Sequence, residues 1–375
     1  MIQLALKMLF GDRVRYLTLM IGIFFVSFLF IQLGSVFCGI MARIIKPIEA
    51  IGAPIWVADA KLQSIDDSKP LLDTDLNRIR SIPGVKWAVP LFLRTVQVRL
   101  RDGRFQVVRL FGLDDASLVG RPAHLLAGDI SMLSAPEAVI IGRAEAERLG
   151  NPKVGDTFEI NDHLARVVGI ADVPRDFGSN PYVYTTYSRA LEYTPRQRKQ
   201  MNFILVAPND SKDTQALTKR IQELSRLAAY TEDEMRWLSM SYYIRNTAIP
   251  INFGIGVLMA FVVGMSIVGQ TFYSFALQNE RYFAALKAMG AGPGTMVTMM
   301  IVQALSVALI SFGIGAGMAC LFGFLTGAGT GKLAFFTPYQ LVAGSFLIVI
   351  LICLSASLFS IHRVVRLEPA VVFHS

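Results

Sequence analysis

The segment with the most obvious potential for chemistry is a glycine-rich run that ends in a lysine, Gly327-Ala-Gly-Thr-Gly-Lys332. A phosphate-binding loop needs a glycine separated by four residues from a Gly-Lys pair, and a Ser or Thr directly after the lysine. The backbone amides of such a loop hold phosphate, and the hydroxyl holds magnesium. Thr326 stands where the first glycine is required, and Leu333 where the hydroxyl is required. The sequence therefore predicts no nucleotide-binding site here.

Histidines and paired acids are the next candidates for catalysis or metal binding. The chain has four histidines, His124, His163, His362 and His374. They show no metal-ligand spacing, and no cysteine partners them. The acidic pairs at 66–67 and 114–115 flank predicted turns, where solvated carboxylates are ordinary. Since a Gly-x-Ser-x-Gly nucleophile elbow is missing as well, we predict neither catalysis nor a cofactor on this chain.

A polar segment between two apolar runs, residues 278–291, is the most informative part of the sequence. Its pattern predicts a short helix that begins at Glu280 and Arg281 and ends at Gly290. The predicted apolar face consists of Tyr282, Ala285, Leu286 and Met289. These residues alone leave two alternatives open, a hairpin loop that contacts nothing and a docking site for another protein.

Composition divides the chain into two parts that suit different solvents. Only 17% of its 375 residues are charged, whereas a soluble domain carries about a quarter. Residues 43–248 hold 28 of the 36 Lys and Arg and 25 of the 28 Asp and Glu. The basic residues outside that segment lie at the ends of apolar runs. The net charge of +8 therefore indicates membrane topology and argues against a nucleic-acid partner.

Four segments are long and apolar enough to cross a bilayer, which takes about 20 residues. The predicted spans are residues 16–42, 247–278, 296–324 and 341–361. Between and beyond them we predict an amphipathic N-terminal segment (1–15), an outer domain (43–246), an inner loop (279–295), an outer loop (325–340) and an inner tail (362–375). No Asp, Glu, Lys, Arg or His lies within the four spans, which argues against an ion or proton path.

The orientation follows from Lys and Arg close to the span ends. The relevant residues are Lys7, Arg13 and Arg15 before the first span, Arg281 and Lys287 between the second and third, and Arg363 and Arg366 after the fourth. The positive-inside rule places all three groups in the cytoplasm. Both termini are therefore predicted to be cytoplasmic, and the domain at 43–246 is predicted to be periplasmic.

The outer domain alternates short apolar runs with turn signals. Strands are predicted at 55–57, 85–98 and 105–111, and helices at 73–81 and 211–226. This pattern predicts a mixed α+β domain of two lobes. The complete fold class is therefore an α-helical membrane protein with four transmembrane helices, in a 1+3 arrangement around that domain.

The inner loop resembles the coupling loop of ABC transporter permeases of the MacB, FtsX and LolC/LolE type. That loop runs Glu-Arg, a few residues, then Leu-Lys-Ala-Leu-Gly-Ala, and Met289 stands here where the second Leu is usual. The 1+3 order of spans and the Arg-rich tail from Arg363 to Ala370 are similar as well. Gln32-Leu-Gly34, Ile82-Pro-Gly-Val85 and Ala88-Val-Pro90 resemble the DevC branch.

The resemblance implies a multi-pass permease subunit of the bacterial inner membrane that works by mechanotransmission. The residues that it assigns to ATPase coupling are Glu280, Arg281, Tyr282, Ala285, Leu286, Lys287, Met289 and Gly290. MacB carries its ATPase on the same chain, whereas this sequence has no nucleotide-binding domain. ATP and Mg are therefore expected on a separate ABC ATPase subunit.

The resemblance also implies partners and cargo. We expect a homodimer, or a heterodimer with a related permease, together with a periplasmic adaptor protein and a TolC-like outer-membrane channel. The activity would be export or extraction of a lipid, glycolipid, peptide or toxic compound. The alternative is an FtsX-like regulator of a periplasmic cell-wall hydrolase. A membrane sensor and a membrane enzyme are disfavoured, because the inner segments are too short for an output domain and catalytic motifs are missing.

Overall fold

A computed structural model describes residues 13–195, 200–330 and 333–365, and the chain divides into two units. The membrane unit comprises the described residues of Met1–Ile40 and Ala248–Ser375. The outer domain comprises those of Met41–Thr247. Helix α1 (Arg13–Ile51) is continuous and contributes residues to both units.

The outer domain contains strands and helices in mixed order. Its strands are β1 (Ile55–Ala58), β2 (Val85–Arg99), β3 (Phe105–Leu113), β4 (Leu125–Gly128), β5 (Ala138–Gly142), β6 (Thr157–Ile160), β7 (His163–Ala171), β8 (Tyr182–Thr186), β9 (Phe203–Pro208) and β10 (Ala228–Thr231). Its helices are α2 (Asp73–Arg80), α3 (Tyr187–Glu192), α4 (Thr214–Ser225) and α5 (Glu232–Asn246). Short 3-10 turns lie at Ile130–Ser134, Ala146–Leu149 and Ser211–Asp213.

The strands form one sheet in the order β10-β1-β9-β2-β3-β8-β5-β7-β4, and β6 pairs with β2 and β7. Strand β2 is long enough to pair with a different strand along each half. Residues 85–91 of β2 pair antiparallel with β9, and residues 92–99 pair antiparallel with β3. The domain therefore has two lobes that share β2: a first lobe of β10, β1, β9 and residues 85–91 of β2, and a second lobe of residues 92–99 of β2 with β3 to β8. This confirms the predicted mixed domain of two lobes.

Three hydrophobic clusters stabilise this arrangement. One packs α2 and α4 against the first lobe through residues such as Ile79, Ile204 and Leu217. A second fills the other lobe around Phe92 and Val183. The third extends over strands of both lobes and consists of Trp56, Phe111, Tyr184, Phe203 and their buried neighbours. Since apolar burial is the main favourable term in folding, this third cluster ties the two lobes together.

The membrane unit continues with α6 (Ile249–Gln278), α7 (Glu280–Ala288), α8 (Pro293–Thr330) and α9 (Tyr339–Val365). Four described helices are long and apolar enough to cross a membrane, in the stretches Tyr16–Ile51, Ile249–Gln278, Pro293–Gly327 and Tyr339–Leu358. One precedes the outer domain and three follow it. The predicted 1+3 order is therefore confirmed.

Two helices extend beyond the residues that were predicted to span the membrane. Helix α1 continues to Ile51 rather than stopping near residue 42, and α8 reaches Thr330 within the predicted outer loop. After the undescribed residues 331 and 332, the loop lies along α1, where the Phe336 amide donates to the Ser35 carbonyl oxygen at 3.0 Å. Residues 1–12 of the predicted amphipathic segment and residues 366–375 of the predicted tail lie outside the described residues.

Candidate coupling site

Helix α7 begins at a turn that is fixed by a buried asparagine. The Asn279 side-chain amide donates to the carbonyl oxygen of Phe275 in α6 at 2.8 Å. The Asn279 carbonyl oxygen accepts from the amides of Tyr282 and Phe283 at 3.0 and 3.1 Å. One residue therefore binds groups on both helices and holds α7 directly against the end of α6.

Helix α7 ends in a Schellman motif, which satisfies carbonyl groups that the helix cannot pair internally. The Ala291 amide donates to the Leu286 carbonyl oxygen and the Gly290 amide to that of Lys287, both at 3.0 Å. Gly290 has a φ of +91°, a left-handed conformation that is unfavourable for residues with a Cβ atom. The predicted glycine stop at Gly290 is confirmed.

One side of α7 is buried against α8. Phe283 lies in a cluster with Ala276 of α6 and with Met296 and Met300 of α8. Leu286 packs on Met299, and Ala291 contacts both clusters. The amphipathic helix is therefore attached by its apolar side chains as well as by its hydrogen-bonded ends.

The other side of α7 is open and carries large side chains. Tyr282 is 64% exposed and Met289 is 76% exposed. Arg281 and Ala288 are also exposed, and Ala285 is partly so. Aromatic residues, Met and Arg are enriched at the centres of protein–protein interfaces. The composition of this open face suits a protein partner.

The structure divides the predicted coupling residues between the two sides of α7. Leu286, which was predicted to share an apolar face with Tyr282 and Met289, is buried, whereas Tyr282 and Met289 are exposed. Lys287 is half-buried and lies one turn after Phe283. The Glu280 side chain lies outside the described residues. Contact of any of these residues with an ATPase stays a prediction.

Phe283 is the main internal anchor of α7, and it was not among the residues predicted from the sequence. Its spacing of three residues from Leu286 places both side chains on one helix face, but the spacing does not show that this face is the buried one. Within the described residues, no group of three or more His, Cys, Asp or Glu side chains could hold a metal ion.

Comparison with known proteins identifies the family. The model of the MacB-like periplasmic core domain matches residues 16–224, and that of the FtsX-like permease C-terminal region matches residues 254–369. The uncharacterized ABC transporter permease Rv0072 of Mycobacterium tuberculosis is 26% identical over 314 residues, which cover 82% of this chain and 80% of that protein. A second uncharacterized ABC transporter permease, Mb2592 of Mycobacterium bovis, is 25% identical over 309 residues, with the same coverage.

Among solved structures, the periplasmic region of MacB from Actinobacillus actinomycetemcomitans is similar at 15% identity and a TM-score of 0.37, over 53% of this chain and 96% of that chain. The extracellular domain of the YknZ transporter from Gram-positive bacteria is similar at 12% identity and a TM-score of 0.36, over 48% of this chain and 100% of that chain. The two family models between them cover the first span, the outer domain as far as residue 224, and most of the C-terminal part from residue 254 onward. On the strength of those two matches, the chain belongs to the MacB/FtsX family of ABC transporter permeases.

Proposed function

We propose that this chain is the membrane subunit through which a separate ATPase moves the outer domain. The observation that carries the proposal is the open face of α7, which consists of Arg281, Tyr282, Ala285, Ala288 and Met289. This face lies on a helix fixed at both ends, so a force applied there is not absorbed by a flexible loop. An ABC transporter permease works with an ATPase subunit, and we propose that this subunit binds to the open face of α7.

The contacts of α7 explain how a push would spread through the membrane unit. Asn279 binds α7 to α6, and Phe283 and Leu286 bind it to the first turns of α8. Packed interfaces rearrange in discrete steps rather than deform continuously. A displacement of α7 therefore moves the adjoining ends of α6 and α8 together, and α6 leads by the chain to the outer domain.

The proposed location is the bacterial inner membrane, with α7 and both termini in the cytoplasm and the outer domain in the periplasm. The distribution of Lys and Arg supports this orientation. Four spans per chain support a dimer, of two copies or with a related permease. We further propose a periplasmic adaptor and a TolC-like outer-membrane channel as partners.

The cargo is proposed to be handled outside the spans. The predicted spans contain no Asp, Glu, Lys, Arg or His, and intramembrane carriers of polar substrates depend on such groups. A lipid, glycolipid, peptide or toxic compound extracted or exported by the outer domain fits this composition. Regulation of a cell-wall hydrolase is the alternative, and the MacB-like match over residues 16–224 favours transport.

The proposal is tested by purifying the chain with its candidate ATPase and substituting the open face of α7. Tyr282→Ala, Met289→Ala and Arg281→Glu should each reduce recovery of the ATPase and its stimulated hydrolysis, without a change in the thermal unfolding of the permease. Tyr339→Ala is the matched control, because Tyr339 is 78% exposed and, at the start of α9, lies on the outer side in the proposed orientation. Full recovery and full stimulation in all three variants would contradict the proposal.

A further inference from the structure

An ionic cluster in the outer domain is centred on Arg109, a buried residue in the middle of β3. The side chain of Arg109 is 8% exposed. Its Nη1 atom lies 2.7 Å from Oδ1 of Asp176, and its Nη2 atom lies 2.6 Å from Oδ1 of Asp66. Asp176 is itself 4% exposed. Burial alone would lower the pKa of Arg109, but the charges of Asp66 and Asp176 raise it above its ordinary value. The guanidinium therefore stays charged.

The remaining carboxylate oxygens bind groups from other elements. Oδ2 of Asp176 accepts from the Gly178 amide at 3.0 Å and from the Asn180 side chain at 3.1 Å. Oδ2 of Asp66 accepts from the Tyr243 hydroxyl at 2.8 Å. The cluster thus joins β3, the segment after β1, the connection from β7 to β8, and helix α5.

Tyr243 is the member of the cluster that lies on a helix leading toward the membrane spans. It lies near the end of α5, and its ring also packs edge-on against Phe177 with centroids 5.2 Å apart. Nearer its start, α5 is anchored by buried Met235 and by Ser239, whose hydroxyl accepts from the Ile65 amide at 3.1 Å. Tyr243 therefore contacts the segment after β1 through Asp66 and the connection from β7 to β8 through Phe177. Each of these two segments includes an aspartate held by Arg109.

Stability alone does not account for such a cluster. Apolar groups of similar volume often replace a buried ion pair without loss of stability, because desolvation offsets the Coulomb attraction. What the ionic cluster does provide is a fixed geometry: a guanidinium with two carboxylates has few alternative arrangements. The cluster can therefore transmit a displacement of α5 to β3 and to the segments that carry Asp66 and Asp176.

We propose that Arg109 and Tyr243 are positioning residues for transport. Arg109 holds Asp66 and Asp176 in place, and Tyr243 passes the motion of α5 through them into the sheet. This inference rests on the proposed function, since it supposes that α5 is moved through α6 by the ATPase. It assigns to the cluster a role in coupling that is separate from folding.

The test is hydrogen exchange of the permease–ATPase complex in nanodiscs, with and without a non-hydrolysable ATP analogue. Tyr243→Phe keeps the ring on Phe177 and removes only the hydroxyl. Tyr242→Phe removes the same atom one residue earlier and is the matched control. Thermal unfolding of both variants checks that each is folded.

In the wild type and in Tyr242→Phe, we expect peptides of residues 59–72 and 172–181 to change their exchange with nucleotide. In Tyr243→Phe we expect that response to be lost, while peptides of α7 stay protected by the ATPase. A retained response in Tyr243→Phe, or a wild type in which these peptides ignore nucleotide, would overturn the inference and leave the proposed function standing. If α7 of the wild type gained no protection from the ATPase, the proposed function would itself be wrong.

Discussion

The backbone amide of Ala291 donates a 3.0 Å hydrogen bond to the carbonyl oxygen of Leu286, and both side chains pack with Met299 of α8. This pair closes α7 and attaches it to the next helix at the same point. The arrangement needs the intervening Gly290 in a left-handed conformation. The stiffness of the proposed ATPase-binding helix therefore depends on one glycine.

Gly290→Ala should weaken stimulation of the ATPase without removing any contact surface. A Cβ at this position meets no atom within 4 Å, so the cost is conformational, about 1–2 kcal/mol for a residue with a Cβ in this region. Gly290→Asn should retain more activity, because Asn tolerates this conformation. Gly292→Ala is the control, since its Cβ also meets nothing and its φ lies outside the left-handed range. Equal losses of stimulated hydrolysis at Gly290 and Gly292 would contradict this explanation.

The sequence predicts that α7 exists and where it ends, but not which side is buried. Apolar residues occur on both sides of the helix, with Tyr282 and Met289 on one and Phe283 and Leu286 on the other. Periodicity identifies a face only when the opposite face is polar. The burial of Phe283 is decided by Met296 and Met300, which the local pattern does not reveal.

Phe283→Ala and Tyr282→Ala should therefore have opposite phenotypes. Phe283 is fully buried, and removing a buried aromatic side chain costs about 3–5 kcal/mol. We expect Phe283→Ala to lower the thermal unfolding temperature of the purified permease. Tyr282→Ala should leave that temperature unchanged and reduce ATPase recovery. A similar unfolding temperature for both variants would show that α7 is not held by this side chain.

Long-range features of the outer domain could not be predicted from the sequence. Several strands and helices follow from local patterns, but the pairing of β2 with β9 joins segments more than a hundred residues apart. The Arg109 cluster is harder still, because its partners at positions 66, 176 and 243 lie in unrelated local contexts. In the sequence, Asp66 was only one of a pair of acids flanking a turn. Tertiary packing alone makes it a partner of Arg109.

The substitution Gly39→Ala, which adds a single methyl group to α1, should displace the outer loop from that helix. A Cβ on Gly39 would collide with the backbone of Ala334, while the hydroxyls of Ser35 and Thr337 lie 2.7 Å apart. In a chain whose native cysteines are replaced, Ser35→Cys with Thr337→Cys should form a disulfide, read by loss of maleimide labelling. Adding Gly39→Ala should reduce that disulfide.

The matched control for the outer loop is Gly313→Ala, whose Cβ would meet no atom within 4 Å. It should leave formation of the Ser35→Cys–Thr337→Cys disulfide unchanged. Equal disulfide yields with Gly39→Ala and Gly313→Ala would show that the loop does not depend on close approach to Gly39.

Arg109→Met should destabilise the protein mainly by leaving Asp176 as an unpaired buried charge. Breaking a buried ion pair by removing one partner costs about 3–5 kcal/mol, whereas neutralising both members is often harmless. Asp176 is 4% exposed and Asp66 is 37% exposed, so water reaches only the second carboxylate freely. We therefore expect Arg109→Met/Asp176→Asn to recover most of the lost stability and Arg109→Met/Asp66→Asn to recover little. Thermal unfolding of the three variants measures this recovery. Equal recovery in the two double variants would mean that burial of the carboxylate does not set the loss of stability. No recovery in either would assign that loss to the missing hydrogen bonds and packing of the guanidinium.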